Sequence, residues 1–111
     1  MKIALLLFDR EDYWATVPRQ EMAAAVAAHA AFGEYLRERG VPFTGVALKP
    51  QAEARTLRPG EDTSAPGPFA GLREDLAGIY LIECTGPEEA EEIARRCPMG
   101  AGIEIRPTWD A

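Results

Sequence analysis

The residues able to do proton chemistry in this chain are few, and one stands alone. His29 is the only histidine in 111 residues. With an ordinary pKa of about 6.5, an imidazole can give and take a proton at neutral pH. A carboxylate would orient such a ring and stabilise its protonated form. Asp9, directly after the apolar run 3–8, and Glu83, on a later apolar run, are the candidates for that part. Tyr13, Trp14, Phe69 and Tyr80 could wall an apolar pocket for a planar molecule. Arg73 could grip a ligand carboxylate through two parallel hydrogen bonds. Each residue also has a plainer use. His29 could be a core histidine bonded to backbone, Asp9 a solvated strand end, and Glu83 a partner of Arg106. The aromatics could be core or dimer contacts, and Arg73 a surface cation.

Other chemistries lack their residues. One histidine with Cys84 and Cys97, too far apart for a CxxC pair, makes no zinc site. Each cysteine reads instead as a small buried apolar side chain in a reducing cytoplasm. Gly40 and Gly45 lack the spacing of a phosphate-binding loop, so no nucleotide cofactor is expected. Ser64, the only serine, sits in a polar loop with no Gly-x-Ser-x-Gly elbow around it. A site free of metal and cofactor is the expectation. The acidic pairs within 88–92 read as a solvated first helical turn.

Composition narrows the partners. Twelve basic against eighteen acidic residues give a net charge of −6 with no basic run, which argues against a nucleic-acid binder. Apolar residues at 47% and charged ones at 27% describe one globular domain over residues 1–111, long enough to bury a core. No apolar run approaches the ~20 residues of a membrane span. Residues 3–8 are short for a signal peptide, and Asp9-Arg10-Glu11-Asp12 follows where a cleavage site would stand, so a cytoplasmic protein is expected.

These residues need elements to position them. Residues 2–8 predict a strand covered on both faces. Residues 9–17 form a connection, and Pro18 opens a helix that Gly40 closes at about Arg39. Met22, Ala25, Val26, Phe32 and Leu36 mark its apolar stripe, with His29 in the middle of it. Strands are predicted over 43–48 and 54–57, a loop over 58–67, and a strong strand over 76–84. Thr85 with Glu88 has the spacing of a capping box for a second helix, which Cys97-Pro98 stops. Residues 102–107 close the chain as a strand. The order β-α-β-β-β-α-β fits an α+β, ferredoxin-like split β-α-β: an antiparallel sheet with two helices on one face. The apolar open face of such a sheet calls for a homodimer stacked face to face.

Several segments together resemble the YCII-related family in its DGPF-motif branch. They are an N-terminal strand, a Trp, Ala28-His29-Ala30-Ala31-Phe32 on the first helix, Gly-Pro-Phe, Leu76-Ala-Gly-Ile-Tyr-Leu-Ile-Glu83, and the closing Gly102-Ile-Glu-Ile-Arg-Pro107. The resemblance spans roughly residues 1–107 and implies a dimeric α/β barrel. It places His29 at the family's catalytic histidine and Arg73 at its cationic position. Two departures stand out. The Asp-Gly-Pro-Phe motif is Pro66-Gly67-Pro68-Phe69 here, and the Glu-Thr-Lys that follows is Gly71-Leu72-Arg73. Relatives of similar fold include muconolactone-type isomerases and a dehalogenase, an analogy of fold only. The leading expectation is a cofactor-independent isomerase, lyase or cyclase acting on a small apolar or aromatic molecule, with His29 as general acid/base and Asp9 beside it. The alternative is a non-catalytic ligand-binding or regulatory dimer, with a sigma factor as the association the resemblance implies, for which the missing motif acid speaks.

Overall fold

A computed structural model describes residues 1–71 and 73–109 of the chain. Four strands form one antiparallel sheet: β1 (Lys2–Arg10), β2 (Phe43–Ala47), β5 (Glu74–Glu83) and β6 (Gly102–Pro107), in the order β2-β5-β1-β6. That order is the ferredoxin-like one, with each helical connection spanning a strand that lies between the two it joins. Helices α2 (Arg19–Arg39) and α3 (Pro87–Ala94) pack on one face.

Alternation along the strands sorts the side chains. Ile3, Leu5 and Leu7 of β1 and Tyr80 and Ile82 of β5 point to the helices and are buried with Phe32 and Leu36 of α2 and Ala90 and Ile93 of α3. Register puts Leu5 opposite Tyr80 and Ile3 opposite Ile82. Ala4, Leu6 and Phe8 therefore face the other way, with Leu81 and Ile79 beside them. Between Leu7 and Phe8 the register shifts, leaving Ala77 of β5 as the extra residue of a bulge. Its carbonyl accepts a hydrogen bond from Leu48 N at 2.8 Å, prolonging the hold on β2.

The cap of α2 follows the expectation. Gly40 lies in the left-handed region at φ 76°, its N–H donates to Arg37 O, and Val41 N donates to Leu36 O at 2.9 Å. Buried Val41 and Leu36 meet across this Schellman motif. The start of α3 differs by one residue from the expected box. Gly86 is the N-cap, Pro87 opens the helix, and Glu89 rather than Glu88 reaches back to Thr85 N at 2.8 Å and its hydroxyl at 3.1 Å. Pro87 moves the helical start along the chain, which carries Glu89 into the position three residues in. Arg39 then ties the helices together through Glu89 at 3.1 Å and Glu92 at 3.2 Å.

Three expectations on local structure are corrected. The strand expected over 54–57 is present as β3 (Arg55–Thr56) but lies outside the main sheet, and the expected loop over 58–67 contains its partner β4 (Ala65–Pro66), the two forming a separate two-stranded hairpin. The two residues of β4 are too few to carry a period-two signal, so the sequence shows only turn residues there. The connection 9–17 contains a short helix, α1 (Tyr13–Thr16), entered through Asp12 at φ 59°, a conformation Asp tolerates better than most residues. The apolar stripe of α2 is covered only in its second half. Phe32, Gly33 and Leu36 are buried, whereas Met22 and Val26 remain 39% and 64% exposed in the single chain.

The chain is a thin slab of 46 × 41 × 19 Å with a radius of gyration of 15.5 Å. A compact monomer of this length would have about 13 Å. One sheet and one helix layer, with the front of α2 uncovered, account for the excess. Truncating the buried end of α2 should cost far more than truncating its uncovered end. Leu36→Ala is expected to lose about 2–5 kcal/mol by urea unfolding, and Val26→Ala to stay within about 0.5 kcal/mol. Equal losses would show that the front of α2 is covered in solution.

Candidate functional site

His29 sits where the covered and uncovered halves of α2 meet. Its ring is partly buried, and Nδ1 lies 2.8 Å from the Tyr80 hydroxyl of β5. The two rings are close to parallel, at 22° and 5.8 Å between centroids. Phe32 meets Tyr80 edge-on at 5.0 Å, and Phe43 leans on it at 6.2 Å. Tyr80 takes this pose because of what stands opposite it. Register pairs it with Gly45 of β2, and any Cβ at Gly45 would come within 2.6 Å of the Tyr80 ring. A glycine inside a strand often marks such a close approach.

Asp9 lies on the same face, since alternation groups it with Leu7 and Leu5. Its Oδ2 accepts a hydrogen bond from Trp14 Nε1 at 2.5 Å, so α1 places the indole over the end of β1. A Cβ at Gly100 would collide with the other carboxylate oxygen, so a larger residue there would displace the Asp9 side chain. Trp14 in turn meets Tyr13 edge-on at 4.9 Å. Tyr13 donates its hydroxyl to Glu21 of α2 at 3.0 Å and lies under the Arg10 guanidinium. Asp75, opposite Asp9 in the register, is buried and accepts Gln51 N at 2.9 Å.

These contacts set the electrostatics. Burial pushes the His29 pKa below 6.5, and the Asp9 charge opposes that shift without cancelling it. The imidazole is therefore neutral at pH 7. Burial also pushes the Tyr80 hydroxyl up to about 12, so Tyr80 keeps its proton. The Cys97 thiol, raised to about 12 by the same cause, is inert as a nucleophile. Both cysteines are free.

The remaining sequence candidates are spread more widely. Arg73 is exposed, and its carbonyl accepts Glu11 N at 3.0 Å, at the sheet end that carries Asp9 and α1. Phe69 is 74% exposed under the Arg58 guanidinium, beside the β3–β4 hairpin that Thr56 clamps through Gly67 O. No ring contact among the described residues joins Phe69 to Tyr80 or Trp14. Leu72 lies outside the described residues. Glu83 pairs with the N-terminal amine at 3.4 Å, while Arg106 pairs with Glu104. Residue patterns alone do not disclose the histidine's partner, a tyrosine rather than a carboxylate. The available signal is Gly45 in FTGVAL, a gap waiting for a ring across the strand. Among the described residues, no three His, Cys, Asp or Glu side chains could hold a metal, and no helix is long and apolar enough to cross a membrane.

Fold and site together define a small ferredoxin-like α+β protein with one tyrosine-bound histidine between sheet and helix. The YCII-related domain profile matches residues 1–110, and the chain belongs to that family. It is also similar to an uncharacterized protein of Rhizobium meliloti (strain 1021), at 31% identity over 96% of this chain and 91% of that one.

The depressed His29 pKa has a consequence for folding. Above pH 6.5 the ring is neutral in both folded and unfolded chains, and the stability is fully present. Below it the unfolded chain takes up the proton first, so stability falls as pH drops toward the lower folded-state value. Urea midpoints measured from about pH 7 to 5.5, above most carboxylate titration, should decline for the wild type. The His29→Gln curve should be flatter over that window. Two parallel curves would contradict the burial assigned to this ring.

Proposed function

We propose that the chain is a small cofactor-independent enzyme of the isomerase, lyase or cyclase type, moving a proton on a small apolar or aromatic molecule. His29 is its general acid/base. The observation that carries this reading is the 2.8 Å bond between His29 Nδ1 and the Tyr80 hydroxyl. A partly buried imidazole, neutral at pH 7 and fixed by a group that keeps its own proton, is prepared for proton transfer without metal or cofactor. Asp9 supplies the negative field that favours the imidazolium once it forms. Trp14 and Tyr13 with Tyr80 supply aromatic surface, and Arg73, whose backbone lies at the sheet end of Asp9, meets a ligand carboxylate in this reading.

In this reading the working unit is a homodimer. Leu6, Phe8, Ile79 and Leu81 form an apolar band on the face away from the helices, with Val46 beside them at 53% exposure. Lys2 opposite Glu83, and the Glu104–Arg106 pair, edge that band with charge. A band of this kind on one side of a sheet matches the inner face of a two-sheet stack about 10 Å thick. Sedimentation should give a dimer for the wild type and a folded monomer for Leu81→Lys. A monomeric wild type would remove the dimer from this reading.

The chemistry can be tested before the natural substrate is identified. Small ketones and unsaturated or aromatic carboxylic acids, incubated with the protein in D₂O, should include one class whose acidic C–H protons exchange faster than in buffer. His29→Gln should abolish the acceleration, and Asp9→Asn should reduce it by about tenfold to a hundredfold, as loss of an orienting charge would. Binding without accelerated exchange would overturn catalysis and assign the site to ligand recognition.

A further inference from the structure

Of the two ring nitrogens of His29, Nδ1 is committed to Tyr80 and Nε2 has no hydrogen-bond partner among the described residues. The direction of the proton between the rings decides what Nε2 can do. A buried hydroxyl seeks an acceptor for its proton, and Nδ1 is the acceptor Tyr80 has. We infer that Tyr80 is a positioning residue that donates its hydroxyl proton to Nδ1 and so holds His29 as the neutral Nε2–H tautomer, a hydrogen-bond donor for the carbonyl oxygen of the substrate. The substrate class is thereby a carbonyl compound, an assignment that rests on the proton-transfer reading above with His29 in its acid half, since this tautomer leaves no ring nitrogen free to take a proton. The tautomer itself does not rest on that reading.

The arrangement around the pair is built for this one orientation. Gly45 leaves the space in which the Tyr80 ring lies, and Phe32 holds its edge. The charged and titratable groups bearing on the pair are few. Asp9 of β1 acts on His29 through space while its hydrogen bond goes to Trp14, and the Cys97 thiol, beyond α3, bears on Tyr80. With the Tyr80 O–H directed at Nδ1, the ring's own proton sits on Nε2, which is left to donate. A neutral imidazole that donates can polarise a carbonyl without first being protonated.

Nitrogen-15 NMR of the labelled protein reads the tautomer directly, and a single histidine makes the signals unambiguous. At pH 7.5 the wild type should show the ratio displaced toward the Nε2–H form by about fivefold relative to an unconstrained histidine, the bias one ordinary hydrogen bond supplies. Tyr80→Phe keeps the ring and should return the ratio to that of an unconstrained histidine. Gly45→Ala, which displaces the ring, should do the same. Addition of a cyclic ketone should move the Nε2–H resonance, and its parent hydrocarbon should leave it unmoved. A dominant Nδ1–H form, or a ratio unchanged in Tyr80→Phe, overturns the positioning role. A resonance indifferent to the ketone overturns the carbonyl assignment. The expected tautomer with no C–H exchange for any ligand class overturns the proton-transfer reading and leaves the tautomer assignment standing.

Discussion

The pairing of β1 with β5 at the centre of the sheet governs everything else in this molecule. It sets Leu5 against Tyr80 and Ile3 against Ile82, and so decides which face is core. A slip of one residue would turn Tyr80 and Ile82 outward and bring Leu81 and Ile79 under the helices. The apolar content of the two faces is similar, so hydrophobicity alone discriminates the register weakly. Tyr80 supplies part of the missing discrimination. Its ring fits only opposite a residue without a side chain, and the observed register places it opposite Gly45. The same placement brings its hydroxyl to His29. Strand register and site geometry are thus one constraint.

Much of the frame is legible in the residues. Both long central strands, the β6 boundaries and the Gly40 cap follow from apolar runs and from the few residues that tolerate special backbone angles. What the sequence hides is tertiary in origin. Periodicity puts Met22 and Val26 on the stripe of α2, yet a helix of 21 residues extends past what the single sheet covers. Sequence marks which side of a helix is apolar and not how far its support reaches. The second strand of the β3–β4 hairpin is too short to leave a pattern. Thr85 announces a cap, but Pro87 selects Glu89 over Glu88 as its partner, a choice made by the helical start and not by composition.

The site shows the same division. His29, Asp9, Trp14 and Tyr80 are each visible as candidates by type and position. Their pairing is not, because it crosses long stretches of chain. A histidine with a nearby acid suggests a direct His–carboxylate bond, and the structure distributes the partners otherwise: Tyr80 to His29, Trp14 to Asp9. Residues 66–73 carry no acidic side chain, so that segment contributes no carboxylate to the histidine. Asp9 is then the acidic group whose charge reaches the ring.

Two influences on His29 oppose each other, and their balance decides its chemistry. Burial disfavours the charged ring, and the Asp9 carboxylate favours it. Had Asp9 bonded directly to the ring, attraction would have prevailed, as charge-assisted hydrogen bonds are about twice as strong as neutral ones. Trp14 holds one carboxylate oxygen, and the other lies against Gly100. Asp9 is left to act as a field without contact, and burial wins. The result is a neutral imidazole with a neutral phenol behind it and a carboxylate within electrostatic reach. Such a ring donates its N–H at neutral pH without first overcoming a resident charge, and its hydrogen bond strengthens as negative charge develops on the oxygen it faces. An interaction stronger in the transition state than at rest is the kind that accelerates a reaction.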